Sequence, residues 1–404
     1  MGKAAFRWLA RAIALAACAL AWGSDATDPQ SRLEHMPRAE PRMPLPALYR
    51  PFRDPAFGSM VMRVTDASQS PGATRIRHYY AKSQPFNADG TLAILVRSDG
   101  GASLYDARSW VPLKSLSIAS GDPEFQWHPT DPSVFYYLDP VGGSPNVRGF
   151  FRYDVRTDQR TLLHDFAEYD TARARNEGNM DRDGRYYAMV GWKSGRLEAF
   201  VYDVREDRVL ARLPVTESQV SDWISMSPSG NYVVMMGKHR ARIYDRNLRH
   251  LRDLPEGSIG HGDLCLLEDG SEALVYDGAD HRLALGRHLN VADLATGHEF
   301  AATRIGWRST PHVSCRNLAM PGWALVSTQG PDKRYPNHDF ELFWMKLDGS
   351  GLVRRIAHHH SRTERGGYFA EPQAVPSRSG DRVLFASNWG EGFVAEYVVA
   401  TPRP

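Results

Sequence analysis

The sequence predicts an all-β protein with the fold of a seven-bladed β-propeller. One unit recurs along the chain: a short apolar run, a turn that carries Gly or Pro beside Asp or Ser, and a longer run rich in Val, Tyr, Phe and Leu. The copies start about 40 to 60 residues apart, which is typical of four-stranded propeller blades. No long apolar pattern of helical period follows the N-terminal segment, and strands are therefore expected throughout.

The last copy of the unit, "EPQAVPSRSGDRVLFASNWG" at residues 371–390, shows the pattern clearly. A single hairpin of this size is marginally stable in water, and it therefore needs its neighbours. A two-sheet sandwich would not explain one repeated order of run, turn and run. The segment "VMRVTD" from Val61 is expected to close the ring with the last blade. The copies begin at Gln84, Phe125, Gly178, Trp223, Leu264, Cys315 and Glu371.

Residues 1–24 are predicted to be a signal peptide. Positive charges precede an apolar run at residues 12–22, which is too short to anchor the chain across a bilayer. The protein is therefore expected to be secreted or periplasmic. The sequence "LAAC", which ends at Cys18, leaves lipoprotein anchoring open as the alternative. The positive charges are at Lys3, Arg7 and Arg11.

The rest of the chain is predicted to be a Pro-rich N-terminal extension at 25–58 and a single propeller domain at 59–404. No later stretch is long and apolar enough for a transmembrane segment. The net charge of +2 and the absence of a long basic run argue against nucleic acid as a partner. A closed propeller hides its strand edges, so a monomer is expected.

Polar side chains on the inner strand of each blade are the candidates for a functional face. Charged groups along a buried axis are costly unless they are paired, so a purely structural axis would need fewer of them. A water-filled channel with ordinary polar walls is the alternative. The candidates are His78, Lys82, Gln84, Glu124, Gln126, Asn176, Glu177, Asn179, Asp222, His261, Asp263, His312, Cys315, Arg316, Glu371 and Gln373.

Two His- and Cys-containing segments, "HGDLC" and "PHVSCRN", predict a metal site on neighbouring inner strands. Imidazole and thiolate are ligands suited to zinc, and the "HHH" segment at 358–360 adds a further ligand. The first two segments place His261, Asp263, Cys265, His312 and Cys315 on these strands, and His359 is the candidate from the third segment. Two other outcomes are open for Cys265 and Cys315: a disulfide, or two small buried core side chains.

Several longer phrases resemble the seven-bladed propeller polysaccharide lyases that cut ulvan, and more distantly the oligogalacturonate lyases. The most specific phrases are "HVSCRNLAMPGWALVST" and "PQAVPSRSGDRVLFASNWG", together with "RHYYAKSQPFNADGT" and "NEGNMDRDGRYYAMV". The resemblance covers roughly residues 50–400. It implies β-elimination at uronic acids, with a His and a Tyr as acid and base and an Arg facing the carboxylate. It also implies a mainly structural zinc, whose ligands by position are His261, His312, Cys315 and His359.

Transferred by position, the resemblance assigns the His to His78. It assigns the Tyr to Tyr136 or Tyr137 and the Arg to Arg152, a Tyr and an Arg on antiparallel neighbouring strands. Tyr79 or Tyr80 is a second possibility for the Tyr, and Arg148 is a second possibility for the Arg. The fourth blade has Trp223 where the pattern favours Tyr. The predicted substrate-binding residues are Lys82, Gln84, Asn176, Asn179 and Arg316.

The sequence thus predicts a secreted polysaccharide lyase that acts on an acidic, uronic-acid-containing, ulvan-like polysaccharide. A non-catalytic glycan-binding or protein-interaction propeller is the alternative.

Overall fold

The computed structural model describes residues 38–70, 72–119, 121–237, 240–254, 259–279, 287–303, 311–330 and 338–401. These residues form seven antiparallel sheets, six with four strands and one with five. The predicted seven-bladed β-propeller is confirmed.

The strands are numbered in chain order. β1 (Phe52–Arg53) and β2 (Met60–Arg63) belong to the seventh blade. The first blade is β3 (Ile76–Arg77), β4 (Leu92–Arg97), β5 (Ala102–Asp106) and β6 (Pro112–Leu116). The second is β7 (Gln126–Trp127), β8 (Val134–Pro140), β9 (Val147–Asp154) and β10 (Gln159–Asp165). The third is β11 (Thr171–Arg173), β12 (Tyr186–Lys193), β13 (Arg196–Asp203) and β14 (Arg208–Val215).

The fourth blade is β15 (Trp223–Met226), β16 (Tyr232–Gly237), β17 (Arg240–Asp245) and β18 (His250–Asp253). The fifth is β19 (Ile259–Leu266), β20 (Glu272–Ala279), β21 (Arg287–Asp293) and β22 (Glu299–Ala301). The sixth is β23 (His312–Ser314), β24 (Trp323–Ser327), β25 (Glu341–Lys346) and β26 (Val353–His358). The seventh begins with β27 (Val375–Pro376), β28 (Arg382–Ser387) and β29 (Ala395–Ala400).

The ring closes where the two ends of the chain meet in the seventh blade. β2 pairs antiparallel with β29, and Val61 lies opposite Val399. The predicted closure by the segment that starts at Val61 is therefore confirmed. β1, which falls within the predicted Pro-rich extension, pairs with β2 at the outer edge of the same sheet.

Helices are few and short in the described part of the chain. The two α-helices, α1 (Glu217–Val220) and α2 (Thr363–Gly366), have four residues each. Two 3₁₀ turns lie at Ala67–Gln69 and Gly367–Ala370. A helix needs roughly 20 residues to cross a bilayer, and none of the described helices approaches this length.

The turns that follow the inner strands need backbone conformations that glycine adopts readily. Gly90 in the first blade has φ +69°, and its carbonyl accepts a 2.7 Å hydrogen bond from the Arg382 guanidinium of the seventh blade. A Cβ atom at Gly90 would lie 2.5 Å from that guanidinium nitrogen. The "DG" motif therefore also serves the contact between the first and last blades.

The inner strand comes first in each blade of the chain, and its partner runs antiparallel to it. The inner strands therefore point the same way around the axis, and their starts gather at one end of the channel. We call this end the upper mouth. The lower mouth is formed by the turns that follow the inner strands, such as those at Gly90 and Gly380.

Candidate functional site

The upper mouth brings together five ionisable or aromatic side chains from four blades. Direct contacts, given below, join four of them, and the charge of the fifth, Lys82, acts on His312; together the five are the upper-mouth cluster. Its members are Tyr80 and Lys82 of the first blade, His261 of the fifth, His312 of the sixth and Glu371 of the seventh.

Tyr80 and His261 form the central hydrogen bond of the cluster. The Tyr80 hydroxyl lies 3.1 Å from Nδ1 of His261, and the Tyr80 side chain is buried. Burial, reinforced by the negative charge of Glu177, raises the pKa of Tyr80 well above its usual value. A hydrogen bond with the Tyr368 hydroxyl adds to this rise. The Tyr80 phenol is therefore protonated at neutral pH.

His312 stacks beneath His261, with ring centroids 4.3 Å apart. Its side chain is 1% exposed, and among the described residues neither ring nitrogen has a hydrogen-bond partner. Nε2 lies 3.6 Å from a carboxylate oxygen of Glu371. Burial first, and then the charges of His261, Arg77 and Lys82, lower the pKa of His312 well below its usual value. The His312 imidazole is therefore neutral at neutral pH.

Glu371 lies at the end of the 3₁₀ turn that precedes the seventh inner strand. Burial raises the pKa of its carboxyl group. The turn is held by Arg77, whose buried guanidinium donates to the carbonyls of Phe369 at 2.8 Å and Glu371 at 3.3 Å. A third donation, of 2.5 Å, goes to the side-chain oxygen of Gln373. Arg77 thus fixes the position of the Glu371 backbone.

Lys82 is the cation of the cluster. Its ammonium group lies 2.5 Å from a carboxylate oxygen of Glu177 and 4.1 Å from the ring centroid of Trp223. Trp223 occupies the position where the family resemblance favours Tyr. Its indole ring is buried and lies beneath the Lys82 ammonium. Nearby, burial and the charge of Glu177 raise the pKa of Asp222.

His78 is buried directly beside the cluster, with 0% of its surface exposed. Its Nδ1 lies 2.8 Å from a carboxylate oxygen of Glu396, and its Nε2 lies 2.7 Å from the carbonyl oxygen of Gln373. Since both ring nitrogens are engaged within the protein, His78 is placed to hold the first and seventh blades together next to the site.

The other predicted catalytic residues lie in the second blade. Tyr136 is opposite Arg152 on the antiparallel strands β8 and β9, as the sequence predicts. Tyr136 stacks on Phe150, and Tyr137 stacks on Phe151, both with centroids 5.4 Å apart. These tyrosines are buried in the packing between sheets. The structure therefore does not bring Tyr136, Tyr137 or Arg152 to the contacts that surround His78.

Tyr136 and Arg152 lie near the lower-mouth turn that follows β7. The ring of His128, in the turn after β7, lies 5.8 Å from that of Tyr136. Arg152 and Arg378 both lower the pKa of His128, after burial as the larger cause. His78, in contrast, directly follows β3 (Ile76–Arg77), beside the upper-mouth cluster.

The predicted substrate-binding residues divide between the two mouths. Lys82 is in the upper-mouth cluster. Gln84, Asn179 and Arg316 line a cavity of about 40 Å³ at the lower mouth, which has room for a few water molecules but not for a sugar ring. Arg316 is paired with Asp263 at 2.7 Å. Asn176 is exposed, and its backbone N–H donates to Glu124.

The predicted zinc site is not formed. Cys315 is joined to Cys265 by a disulfide bond, so the expectation that Cys315 ligates zinc is wrong, and the alternative of a pair is correct. The ring nitrogens of His359 contact the carbonyl of Thr328 at 2.8 Å and the backbone N–H of Ser361 at 3.0 Å. Only His261 and His312 come together. The described residues contain no group of three or more His, Cys, Asp or Glu side chains arranged for a metal ion.

Comparisons with known proteins agree on the architecture. No family model matches the sequence, and no curated protein matches it. The structure is similar to that of an oligogalacturonate lyase in complex with manganese, with 17% identity over 89% of this chain and 97% of that chain and a TM-score of 0.63. An oligogalacturonate lyase from Vibrio parahaemolyticus gives 17% identity, 87% and 96% coverage, and a TM-score of 0.63.

A third similar structure is the WD40 domain of Neurospora crassa Pan2, with 16% identity over 85% of this chain and 96% of that chain and a TM-score of 0.52. At such identities the comparisons establish the propeller fold and not the activity.

Sequence reasoning gave Tyr80 only as a second possibility and did not single out Tyr368 or Arg77. The signal for Arg77 is its position beside His78 in "RIRHYYAK", at the end of the first inner strand. The signal for Tyr368 is "GGYFAEPQ", an aromatic pair directly before the seventh inner strand.

Proposed function

We propose that this protein is a polysaccharide lyase that cleaves a uronic-acid-containing, ulvan-like polysaccharide by β-elimination. The observation that carries the proposal is the upper-mouth cluster, in which a protonated Tyr, two stacked His rings, a Lys and a Glu with a raised pKa meet. β-Elimination needs a base for the C5 proton, an acid for the O4 leaving group and a positive charge near the uronate carboxylate.

His261 is the base in this proposal. In this proposal the Tyr80 hydroxyl donates to the Tyr368 hydroxyl, with which it forms a hydrogen bond. The Tyr80 oxygen then accepts Nδ1–H of His261 over 3.1 Å. This tautomer places the lone pair of His261 on Nε2, the atom that accepts the proton in this proposal. His261 is partly exposed, whereas His312 is buried beneath it.

In the chemical step, His261 Nε2 takes the proton from C5 of the uronate. The electrons of the C5–H bond form the C4=C5 double bond, the C4–O4 bond breaks, and O4 takes a proton from the Glu371 carboxyl group. The raised pKa of Glu371 favours its protonated form. The Lys82 ammonium faces the uronate carboxylate and makes the C5 proton more acidic.

No step of this mechanism runs through a metal ion. One similar oligogalacturonate lyase structure holds manganese, but the described residues here do not offer a three-ligand set. In the upper-mouth cluster, the His261 and His312 rings stack and a Glu371 oxygen lies 3.6 Å from His312 Nε2.

We also propose that the protein is secreted or periplasmic and that an acidic polysaccharide is its partner. The Cys265–Cys315 disulfide supports this location, because such bonds persist in oxidising compartments.

The test is an activity panel. Purified protein is incubated with ulvan, polygalacturonate and other uronate polymers, and the unsaturated product is followed by its near-ultraviolet absorbance. We expect an absorbance rise with at least one polymer and its loss in His261→Ala. An exposed His variant, His250→Ala, is the matched control and should retain the rate. No rise with any uronate polymer would reject the lyase proposal.

One observation favours the second candidate, a glycan-binding propeller without catalysis. The Lys82 charge is already neutralised by Glu177 at 2.5 Å. If uronate oligosaccharides bind but no polymer is cleaved, this second function is supported.

A further inference from the structure

Two exposed aromatic side chains lie next to the upper-mouth cluster. Tyr368 is 49% exposed and Phe369 is 45% exposed, although most large apolar side chains of the described chain are buried. Both belong to the 3₁₀ turn Gly367–Ala370, and their ring centroids are 5.5 Å apart. The turn is not loose, since Arg77 donates to the Phe369 carbonyl and Tyr368 hydrogen-bonds to Tyr80.

Arg75 completes this surface. Its guanidinium carbon lies 3.6 Å from the ring centroid of Phe369. Among the described residues, no carboxylate forms an ion pair with Arg75 within 4 Å, in contrast to Lys82, which is paired with Glu177. Arg75 and Arg77 are two positions apart on an extended strand, and they therefore point to the same side, towards the 3₁₀ turn. The surface thus combines two exposed rings with one cation.

We propose that Arg75, Tyr368 and Phe369 form a subsite that binds an acidic sugar residue of the glycan. Exposed aromatic rings stack on the apolar C–H faces of a sugar, and they keep a wide flat contact area at a small entropic cost. The Arg75 guanidinium matches the geometry of a uronate carboxylate. This subsite rests on the proposed function. It extends the proposed glycan-binding site to the sugar residue beside the cleaved bond.

The hydrogen bond between Tyr368 and Tyr80 places the subsite directly beside the reacting groups. Tyr80 holds His261, and Tyr368 holds Tyr80. A sugar that covers Tyr368 is therefore the neighbour of the sugar that loses its C5 proton. The subsite predicts that the glycan has a second acidic residue close to the cleaved linkage.

The test measures binding separately from turnover. Calorimetric titration compares a uronate oligosaccharide with the same oligosaccharide after reduction of its carboxyl groups. Arg75→Gln should raise the Kd for the acidic form about tenfold and leave the Kd of the reduced form unchanged, as expected for loss of one charged hydrogen bond. Phe369→Ala should weaken both forms, and Phe369→Tyr should restore binding.

Matched controls come from outside the upper mouth. Leu162→Ala removes an apolar side chain of 42% exposure from β10, and Arg156→Gln removes a cation from the outer part of the second blade. Neither should change the Kd. Wild-type affinity in both Arg75→Gln and Phe369→Ala would overturn the subsite.

The two proposals can fail separately. If no polymer is cleaved but binding depends on Arg75 and Phe369, the lyase proposal fails and the subsite stands. If a polymer is cleaved and Arg75→Gln and Phe369→Ala keep the wild-type KM, the lyase proposal stands and the subsite is rejected.

Discussion

The hydroxyl of Tyr80 lies 3.1 Å from Nδ1 of His261, although 181 positions separate the two residues in the chain. Tyr80 belongs to the first blade and His261 to the fifth, and these blades are not neighbours in the ring. The contact therefore crosses the axis of the propeller. At this level the axis is filled by interacting side chains, and a bound glycan would have to lie across the upper mouth.

Removal of the Tyr80 hydroxyl is expected to impair catalysis without affecting the fold. Tyr80→Phe removes the hydroxyl oxygen that accepts Nδ1–H of His261. The tautomer that carries its lone pair on Nε2 is then no longer favoured. We expect kcat to fall about 100-fold, within the usual range for acid–base groups. Tyr79→Phe is the matched control, since Tyr79 is the neighbouring tyrosine and only partly buried. Equal rates for the two variants would contradict the role of Tyr80.

The Lys82 charge is expected to matter more for acidic than for neutral ligands. Lys82→Met keeps an aliphatic side chain over Trp223 but leaves Glu177 without its partner at 2.5 Å. We expect a fall of about 100-fold in kcat/KM for a uronate polymer. Glu177→Gln, which keeps the ammonium group, should lose much less. A larger loss in Glu177→Gln than in Lys82→Met would show that the ion pair is structural.

The disulfide is expected to stabilise the contact between the fifth and sixth blades. It closes a loop of 50 residues and links β19 to the residue after β23. In the chain-entropy model such a crosslink contributes about 2 to 4 kcal/mol to the free energy of unfolding. Urea denaturation with and without reductant measures this contribution. The double variant Cys265→Ala with Cys315→Ala should be insensitive to reductant, and an unchanged wild-type midpoint would reject the prediction.

Acid is expected to destabilise the protein through its buried histidines. Burial lowers the pKa of His359 to about 3, and it lowers the pKa of His360 to about 3 as well. The unfolded state binds protons near pH 6.5, whereas the folded state does not. Stability is therefore full above pH 6.5 and is lost as the pH falls from 6.5 towards 3, by up to about 1.4 kcal/mol per pH unit for each histidine.

Urea midpoints at pH 7.5 and pH 5 test this prediction. His359→Gln can still donate to the Thr328 carbonyl that His359 contacts at 2.8 Å, and it does not titrate. The variant should lose less stability than the wild type between the two pH values. An equal or larger loss would show that the acid sensitivity arises elsewhere.

The repeated unit of strand, turn and strand was sufficient to predict the blades, their number and the closing of the ring by the segment that starts at Val61. These features follow from local rules: alternation sets strands, Gly and Pro set turns, and each unit must stack to bury its apolar faces. The same rules placed His261 and His312 on neighbouring inner strands, because the order of blades in the ring follows the order of units in the chain.

The composition of the candidate site followed from the sequence only in part. Tyr136 and Arg152 do face each other on paired strands, as predicted, but strand pairing does not determine whether a pair faces the channel or a neighbouring sheet. The packing of aromatic rings between sheets decided that Tyr136 and Tyr137 are buried in the core. Likewise, the choice between thiolate ligand and disulfide depended on the 5.2 Å between the Cα atoms of Cys265 and Cys315.

By itself, the sequence determined the seven-bladed ring and the set of polar residues near its axis, because periodicity and turn chemistry are local properties. Only the tertiary structure decided which of these residues meet. Tyr80, His261, His312 and Glu371 come from blades that close around a common axis, and the distances across that axis depend on how tightly all seven sheets pack.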